Sequence, residues 1–231
     1  MLESLKEEVL KANLELVKQN LVIYTFGNVS AINKERNLIV IKPSGVDYSH
    51  MKKEDMVIVD LTGNIVEGSF KPSSDTLTHL ELYKKYSSIN AIVHAHSTWA
   101  TQWSQAKRSI PIYGTTHADY FHGDIPCTRE LTKEEIENEY EKNTGKVIIE
   151  TFRNLNVETI PGVLCESHGP FSWGKNPMDA VQNAKVLEEC AKMAYYTEQI
   201  ARRKIEISKY LIDKHYYRKN GKKAYYGQNT Q

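Results

Sequence analysis

The spacing of apolar residues predicts helices and short strands in alternation along the chain. Apolar positions that include Leu5, Val9 and Leu16 recur at helical spacing near the start, as in an amphipathic helix. Runs rich in β-branched residues follow, and turn chemistry at 61–64 returns the chain into a partner strand. The predicted elements of this part are a helix over 2–20 and strands over 37–41, 56–60 and 65–67.

The remaining two thirds repeat this alternation around one irregular stretch at 110–127. Helices are predicted over 76–86, 98–106, 131–155 and from 177 to about 215 with a break, and strands over 89–96, 159–165 and 169–173. No linker or repeat divides the chain. We therefore expect one α/β domain over 1–231, in which helices cover a central sheet on its faces.

Composition narrows the classes of partner and compartment. A net charge of +1 gives no general attraction to nucleic acid or to a membrane surface, so neither is an expected partner. The three cysteines are odd in number and lack CxxC spacing, which argues against a secreted disulfide framework. No run of about 18 apolar residues is present. We expect a cytoplasmic protein.

The segment that ends the predicted strand 89–96 carries the first sign of chemistry. His94 and His96 stand two residues apart, so their side chains point to the same face of a strand. Two imidazoles on one face can converge on one ion, and zinc favours nitrogen ligands. Two polar residues at a strand end would give the same pattern, and the pair alone does not name a metal.

Other residues are candidates for completing such a site. His168 lies where a predicted strand meets a tight turn, and Asp75 precedes the helix that leads into the histidine strand. Three histidines and a carboxylate would form a tetrahedral set. Asp75 can equally be a helix N-cap. Spacing alone leaves the remaining histidines open as ligands, namely His50, His79, His117, His122 and His215.

Three loops have the composition of anion sites. Lys42-Pro43-Ser44-Gly45 follows a strand, Ser73-Ser74 precedes a predicted helix, and Gly27-Asn28 combines a bare backbone with an amide. Backbone N–H groups and hydroxyls in such loops can hold a phosphate. Each loop taken singly is also ordinary turn chemistry.

Seven segments, in order, resemble the class II aldolase/epimerase family over essentially the full length. They are Thr25-Phe26-Gly27-Asn28-Val29-Ser30, Ile41-Lys42-Pro43-Ser44-Gly45-Val46, Lys71-Pro72-Ser73-Ser74-Asp75-Thr76, Val93-His94-Ala95-His96-Ser97, Gly114-Thr115-Thr116-His117-Ala118-Asp119-Tyr120-Phe121, Glu166-Ser167-His168-Gly169-Pro170 and Ala224-Tyr225-Tyr226-Gly227-Gln228. The resemblance implies a largely antiparallel sheet between helices.

The same resemblance implies the roles of the site residues. It implies one Zn²⁺ per subunit, with Mn²⁺ or Co²⁺ as substitutes, bound by Asp75, His94, His96 and His168. It implies contacts to a sugar phosphate from Gly27, Asn28, Lys42, Ser44, Gly45, Ser73, Ser74 and Arg218. It implies acid/base roles for Asp119 and Tyr226. It also implies a homotetramer with active sites at subunit interfaces, so that the last two residues can come from a neighbouring chain.

Within the family, Asp75 and the 114–121 loop resemble the 4-epimerases, since the related fuculose-phosphate aldolases carry Glu at the position of Asp75. The implied reaction interconverts L-ribulose 5-phosphate and D-xylulose 5-phosphate. The hydrogen on C4 is not α to the C2 ketone, so a retro-aldol break of C3–C4 is needed, with zinc as Lewis acid. The alternatives are an aldolase that releases its aldehyde, a zinc hydrolase and a structural zinc domain.

Overall fold

Alternating strands and helices build a central sheet between helical layers, as the apolar pattern predicts. The structure, a computed structural model, describes residues 2–201, 203, 205–221 and 224–226. Gly227 and Gln228 of the last motif lie outside the described residues. The strands are β1 (Asn28–Asn33), β2 (Leu38–Ile41), β3 (Val57–Asp60), β4 (Ile65–Glu67), β5 (Ala91–His94), β6 (Gly162–Cys165) and β7 (Gly169–Gly174).

Over the described residues these strands form one seven-stranded sheet in the order β4-β3-β2-β1-β5-β7-β6. Every pair of neighbouring strands in it is antiparallel. The helices are α1 (Glu3–Lys18), α2 (Thr76–Lys85), α3 (Thr98–Gln105), α4 (Thr115–Ala118), α5 (Lys133–Glu137), α6 (Tyr140–Thr151), α7 (Pro177–Ala201) and α8 (Lys209–Lys219). The predicted fold class is therefore confirmed. None of the described helices is long and apolar enough to cross a membrane.

Two apolar clusters, one on each face of the sheet, hold the layers together. One cluster packs α1 and the start of α7 against alternate residues of the central strands, such as Val29 and Val93. The other packs α2, α3, α6 and the rest of α7 against the opposite residues, such as Ile39 and Ile92. The period-2 alternation of side chains explains this division of neighbouring residues. It also assigns Asn28, Ser30 and His94 to the face that α2 covers.

Strand β1 is an element that the apolar pattern did not predict. Its sequence, Asn28–Asn33, places polar residues at buried positions, and its first residues resemble a turn. It nevertheless lies between β2 and β5 at the centre of the sheet. Its register pairs Asn28 with His94 and Ser30 with Ile92, so it delivers polar side chains to the end of β5.

Candidate active site

Three histidines meet beyond the end of β5. His94 is the last residue of β5, His96 follows it, and His168 lies in the turn between β6 and β7, where Ser167 has a φ of 58°. Their candidate ligand atoms all lie within 4.8 Å of one another. The ring centroids of His94 and His96 are 4.9 Å apart, and those of His94 and His168 are 4.6 Å apart. The predicted convergence is present, although His96 lies past the strand end.

The tautomer of His94 suits a metal ligand. Its Nδ1 lies 3.0 Å from the carbonyl oxygen of Pro170, which can only accept, so Nδ1 carries the proton. Its Nε2 is buried and has no hydrogen-bond partner among the described residues. The ring also stacks on Phe171 at 4.2 Å. A fixed N–H on one nitrogen and a free lone pair on the other is the arrangement of metal-ligating histidines.

His168 has a comparable partner in Tyr140, the first residue of α6. The phenol oxygen lies 3.4 Å from His168 Nδ1. Burial, and then the neighbouring His94, lower the pKa of His168 to about 3. Burial and His94 also lower the pKa of His96. Uncharged rings keep their lone pairs for a metal near neutral pH. Sequence reasoning gave no role to Tyr140.

Asp75 lies beside the histidines and does not act as a helix cap. It precedes α2, but its side chain makes no capping hydrogen bond. Instead its Oδ2 accepts a hydrogen bond of 2.7 Å from Asn28 Nδ2. Burial opposes ionisation of Asp75, but His94, His79 and His168 together lower its pKa below the ordinary value. The carboxylate is therefore available as an anionic neighbour of the three-histidine cluster.

His79 is a further buried histidine of this region that sequence reasoning left only as a spare candidate. It lies on α2 four residues after Asp75, and its side chain is 0% exposed. Its Nδ1 lies 2.7 Å from Ser30 Oγ, which in turn lies 2.7 Å from the Tyr83 hydroxyl. Burial lowers the pKa of His79 to about 3. The i, i+4 spacing from Asp75 was the sequence signal that could have found it.

Lys42 brings a buried positive group to the neighbouring loops. The side chain is 2% exposed and donates to the carbonyl oxygens of Thr25 and Pro43, each at 3.3 Å. Among the described residues no carboxylate lies within ion-pair distance of its ammonium. Burial lowers the pKa of Lys42 to about 8, partly offset by Asp47. A desolvated ammonium without an anionic partner is a suitable ligand for a phosphate.

Backbone hydrogen bonds join two of the predicted anion loops. Ser44 N donates to Lys71 O at 2.9 Å, and Ser73 N donates to Lys42 O at 3.0 Å. An isolated bridge pairs Pro43 with Pro72 between them. The hydrogen bond from Lys42 to Thr25 connects the segment before Gly27-Asn28 to these two loops. Ser44, Gly45 and Ser74 are exposed. The predicted loops therefore lie side by side.

Gly27 is required by space as well as by backbone conformation. Its φ is +85°, and a Cβ there would meet Val22 Cγ1 at 2.8 Å and the His94 carbonyl oxygen at 3.0 Å. Gly45 also has a positive φ, +69°, but no heavy atom lies within 4 Å of its virtual Cβ. The chain at Gly27 thus passes directly against the backbone of the first histidine.

Asp119, Arg218 and Tyr226 form a separate cluster. Arg218 Nη2 donates to Asp119 Oδ2 at 2.8 Å and Nε donates to Oδ1 at 3.1 Å. His215 Nδ1 lies 3.0 Å from the same Oδ1. The Arg218 guanidinium lies 4.8 Å from the centre of the Tyr226 ring. Burial opposes ionisation of Asp119, but the Arg218 and His215 hydrogen bonds lower its pKa.

The cluster around Asp119 is not joined to the three histidines within the described part of one chain. In the described part of the chain no hydrogen bond, ion pair or ring contact links the two groups. Asp119 and Lys219 instead line a cleft together with residues of β7 and the start of α7. The structure therefore brings the predicted residues together as two groups, one around His94 and one around Asp119.

The three histidines fit a divalent metal by donor chemistry. Three neutral imidazoles with convergent nitrogens suit zinc and leave a coordination position for a further donor, such as a carboxylate or a substrate oxygen. The buried, partnerless Nε2 of His94 is the observation that supports this fit most directly. An orphaned buried nitrogen would otherwise be destabilising.

Fold and site together define an α/β protein with a three-histidine cluster suited to a metal, next to loops suited to an anion. The chain belongs to the family described as Class II Aldolase and Adducin N-terminal domain, whose model matches residues 7–195.

Solved structures of the same fold include aldolases. An L-fuculose 1-phosphate aldolase is 28% identical with a TM-score of 0.77, over 90% of this chain and 92% of that chain. The L-fuculose 1-phosphate aldolase from Glaciozyma antarctica is 16% identical with a TM-score of 0.79, over 96% and 84%. The one from Thermus thermophilus is 22% identical with a TM-score of 0.69, over 88% and 100%. The last two likenesses concern the fold alone.

Proposed function

We propose that the chain is a metal-dependent sugar-phosphate 4-epimerase that interconverts L-ribulose 5-phosphate and D-xylulose 5-phosphate. The observation that carries the proposal is the carboxylate of Asp75, held by Asn28 beside the three-histidine cluster. An aspartate at this place ends its carboxylate one carbon nearer the backbone than the glutamate of the aldolases. The shorter side chain changes where the carboxylate oxygen would lie relative to the metal.

His94, His96 and His168, together with Asp75, would hold the metal, and zinc suits this nitrogen-rich set. Bound there, a divalent metal supplies Lewis acidity to the oxygens of a 2-ketose, which favours breaking C3–C4. The protein contributes orientation: Pro170 fixes the His94 ring, and Asn28 fixes the Asp75 carboxylate.

The loops around Lys42 would bind the phosphate. Its buried ammonium supplies charge, and the backbone and hydroxyls of the neighbouring loops, at Ser44, Gly45, Ser73 and Ser74, supply donors. Tight binding of the phosphate matters because an epimerase must retain the aldehyde phosphate while its aldehyde group rotates to present the other face. The hydrogen-bonded pair of loops suits this task, since it is preorganised before the ligand arrives.

Asp119 and Tyr226 would exchange protons with the C4 oxygen, one on each face of the aldehyde. We propose that they do so from a neighbouring subunit of a homotetramer. Their separation from the three histidines within one chain supports this placement. Mixing an Asp119→Asn subunit with a His96→Asn subunit tests it: mixed oligomers should regain activity that neither parent has, and no recovery would favour action within one chain.

A second candidate is a class II aldolase of the L-fuculose 1-phosphate type. The 28% identical aldolase, matched over 90% of this chain, favours it. Such an enzyme would use the same metal, but its substrate carries the phosphate on C1, in the ketone half, and the unphosphorylated aldehyde would be released. The ketose phosphate would be split into dihydroxyacetone phosphate and a free aldehyde.

Product analysis on zinc-loaded, full-length protein separates the two candidates. With L-ribulose 5-phosphate the epimerase yields D-xylulose 5-phosphate and no free glycolaldehyde phosphate. Release of glycolaldehyde phosphate alone, or rapid cleavage of L-fuculose 1-phosphate without epimerisation, would reject the epimerase. Asp75→Glu is the matched variant, because it moves only the carboxylate. We expect it to lose epimerase activity while it keeps zinc.

A further inference from the structure

His79 is a buried histidine that the proposed reaction does not use. It lies under the site on α2, with a side chain that is 0% exposed. Its Nδ1 has a partner in Ser30, but its Nε2 is buried and has none among the described residues. Apolar packing alone does not explain an imidazole at this position. A phenyl ring would fill the same space and leave no buried nitrogen without a partner.

The hydrogen-bond chain that ends at His79 joins the side chains of Tyr83, Ser30 and His79. Burial raises the pKa of the Tyr83 phenol, so the phenol keeps its proton. Either hydroxyl of the Tyr83–Ser30 pair could donate across their 2.7 Å separation, and when Tyr83 is the donor the Ser30 proton is left for His79. The Ser30 hydroxyl can then donate its own proton to His79 Nδ1, also at 2.7 Å. An uncharged imidazole whose Nδ1 accepts must carry its proton on Nε2. The relay therefore presents an N–H donor at Nε2.

The surroundings of that N–H belong to the metal site. His79 follows Asp75 by four residues, which puts the two side chains on one face of α2. The titratable groups that act on it electrostatically are Asp75 and His94. Asn28 already occupies Oδ2 of Asp75, and its own Oδ1 is buried without a partner among the described residues. Two buried polar atoms near Asp75, His79 Nε2 and Asn28 Oδ1, thus lack a hydrogen-bond partner among the described residues.

We propose that His79 is a positioning residue of the metal site, whose Nε2 proton holds an oxygen of Asp75 through one buried water. The inference rests on the proposed metal site and deepens it. Together with Asn28, His79 aligns the carboxylate toward the histidine ligands. Ser30 and Tyr83 act further back, because they fix which nitrogen of His79 carries the proton. Such partners behind metal ligands commonly tune affinity.

Two amide substitutions separate this role from simple packing. In His79→Gln the amide nitrogen reaches the place of Nε2, whereas in His79→Asn it stays near the place of Nδ1. Zn²⁺ affinity is measured on the full chain by competition with a chromophoric chelator. We expect His79→Asn to weaken zinc binding by about tenfold or more and His79→Gln by less than about threefold. Equal losses, or better binding by His79→Asn, would overturn the proposal.

Ser30→Ala tests the relay without altering the ring. Its matched control is Ser104→Ala, because Ser104 is equally buried and donates only to a helix carbonyl at 3.2 Å. We expect weaker zinc binding in Ser30→Ala and none of that loss in the control. Equal zinc affinity in the two serine variants would contradict the relay. This pair also decides the question if His79→Asn does not fold.

The visible spectrum of bound Co²⁺ gives a second readout that packing alone would not change. Its bands should shift in His79→Asn and stay near those of the parent chain in His79→Gln. Neither measurement needs a sugar phosphate. If the parent chain binds zinc and the variants rank as expected while no sugar phosphate is turned over, the inference on His79 stands and the proposed function fails.

Discussion

Replacing Gly27 by alanine tests how closely the chain passes the first histidine. The new Cβ would lie 2.8 Å from Val22 Cγ1 and 3.0 Å from the His94 carbonyl oxygen. The valine can rotate, but β5 holds the carbonyl in place because His94 pairs with both Asn28 and Phe171. Relief must therefore come from the backbone of the 25–28 segment.

The magnitude follows from three contributions. A left-handed φ costs a non-glycine residue about 1–2 kcal/mol. Loss of glycine entropy in the unfolded chain returns about 0.4–1 kcal/mol. Overpacking adds about 1–3 kcal/mol. We therefore expect Gly27→Ala to destabilise the fold by about 2–4 kcal/mol, which lowers Tm by about 5–15 °C for a chain of this size.

Gly45→Ala is the matched control, because Gly45 shares the positive φ but has open space around its virtual Cβ. It should cost only the conformational part, about 1 kcal/mol. Urea unfolding of both variants, with zinc affinity measured in parallel, isolates the contact. Equal stability of the two variants would refute the close approach. A destabilised Gly27→Ala with unchanged zinc affinity would show that the strain does not reach His94.

Three further predictions concern the charged and hydrogen-bonded groups of the site. The pKa of Lys42, about 8, lies below the ordinary 10.5 because of burial, so its charge is lost as pH rises through 8. We expect kcat/KM for the sugar phosphate to fall above pH 8. In Lys42→Met we expect kcat/KM to be about tenfold lower at pH 7 and to show no such fall. A variant whose pH profile matches that of the parent chain would contradict this. Tyr140→Phe should weaken zinc binding about tenfold in chelator competition, because it removes the hydroxyl that contacts His168. Unaltered zinc affinity would show that the 3.4 Å contact does not contribute to metal binding. Asp119→Asn should lower kcat about 100-fold or more while the zinc content stays the same. A loss of zinc instead would indicate that Asp119 takes part in metal binding.

The convergence of three histidines is the part of the candidate site that sequence predicted best. The spacing of His94 and His96 predicts a shared face, and the turn at His168 lies next to them. Local pattern could not decide between ligand and cap for Asp75, because both interpretations need a carboxylate before a helix. The structure removes the side-chain cap, because the Asp75 carboxylate accepts instead from Asn28, a partner 47 residues away that no local window contains. The role of Asp75 as a ligand stays a prediction.

Strand β1 was missed for a related physical reason. Polar residues that alternate with apolar ones normally indicate a strand with one solvent-exposed face, whereas a central strand is expected to be apolar on both faces. Gly27-Asn28 also resembles a turn. In the fold both faces are covered, so Asn28 and Ser30 are buried where apolar residues would be expected. Their hydrogen bonds to Asp75 and His79 compensate. Local rules tend to fail at functional sites for this reason.

Asn28, His94 and Phe171 lie side by side across the antiparallel strands β1, β5 and β7. This register limits which insertions and deletions the chain can tolerate in evolution. Side chains alternate between faces with a period of two, so one residue inserted into β1 would send Asn28 and Ser30 to the α1 side. Both Asp75 and His79 would lose their partners in a single event. Length changes should therefore accumulate in the connections between strands, while the three central strands keep a fixed count of residues.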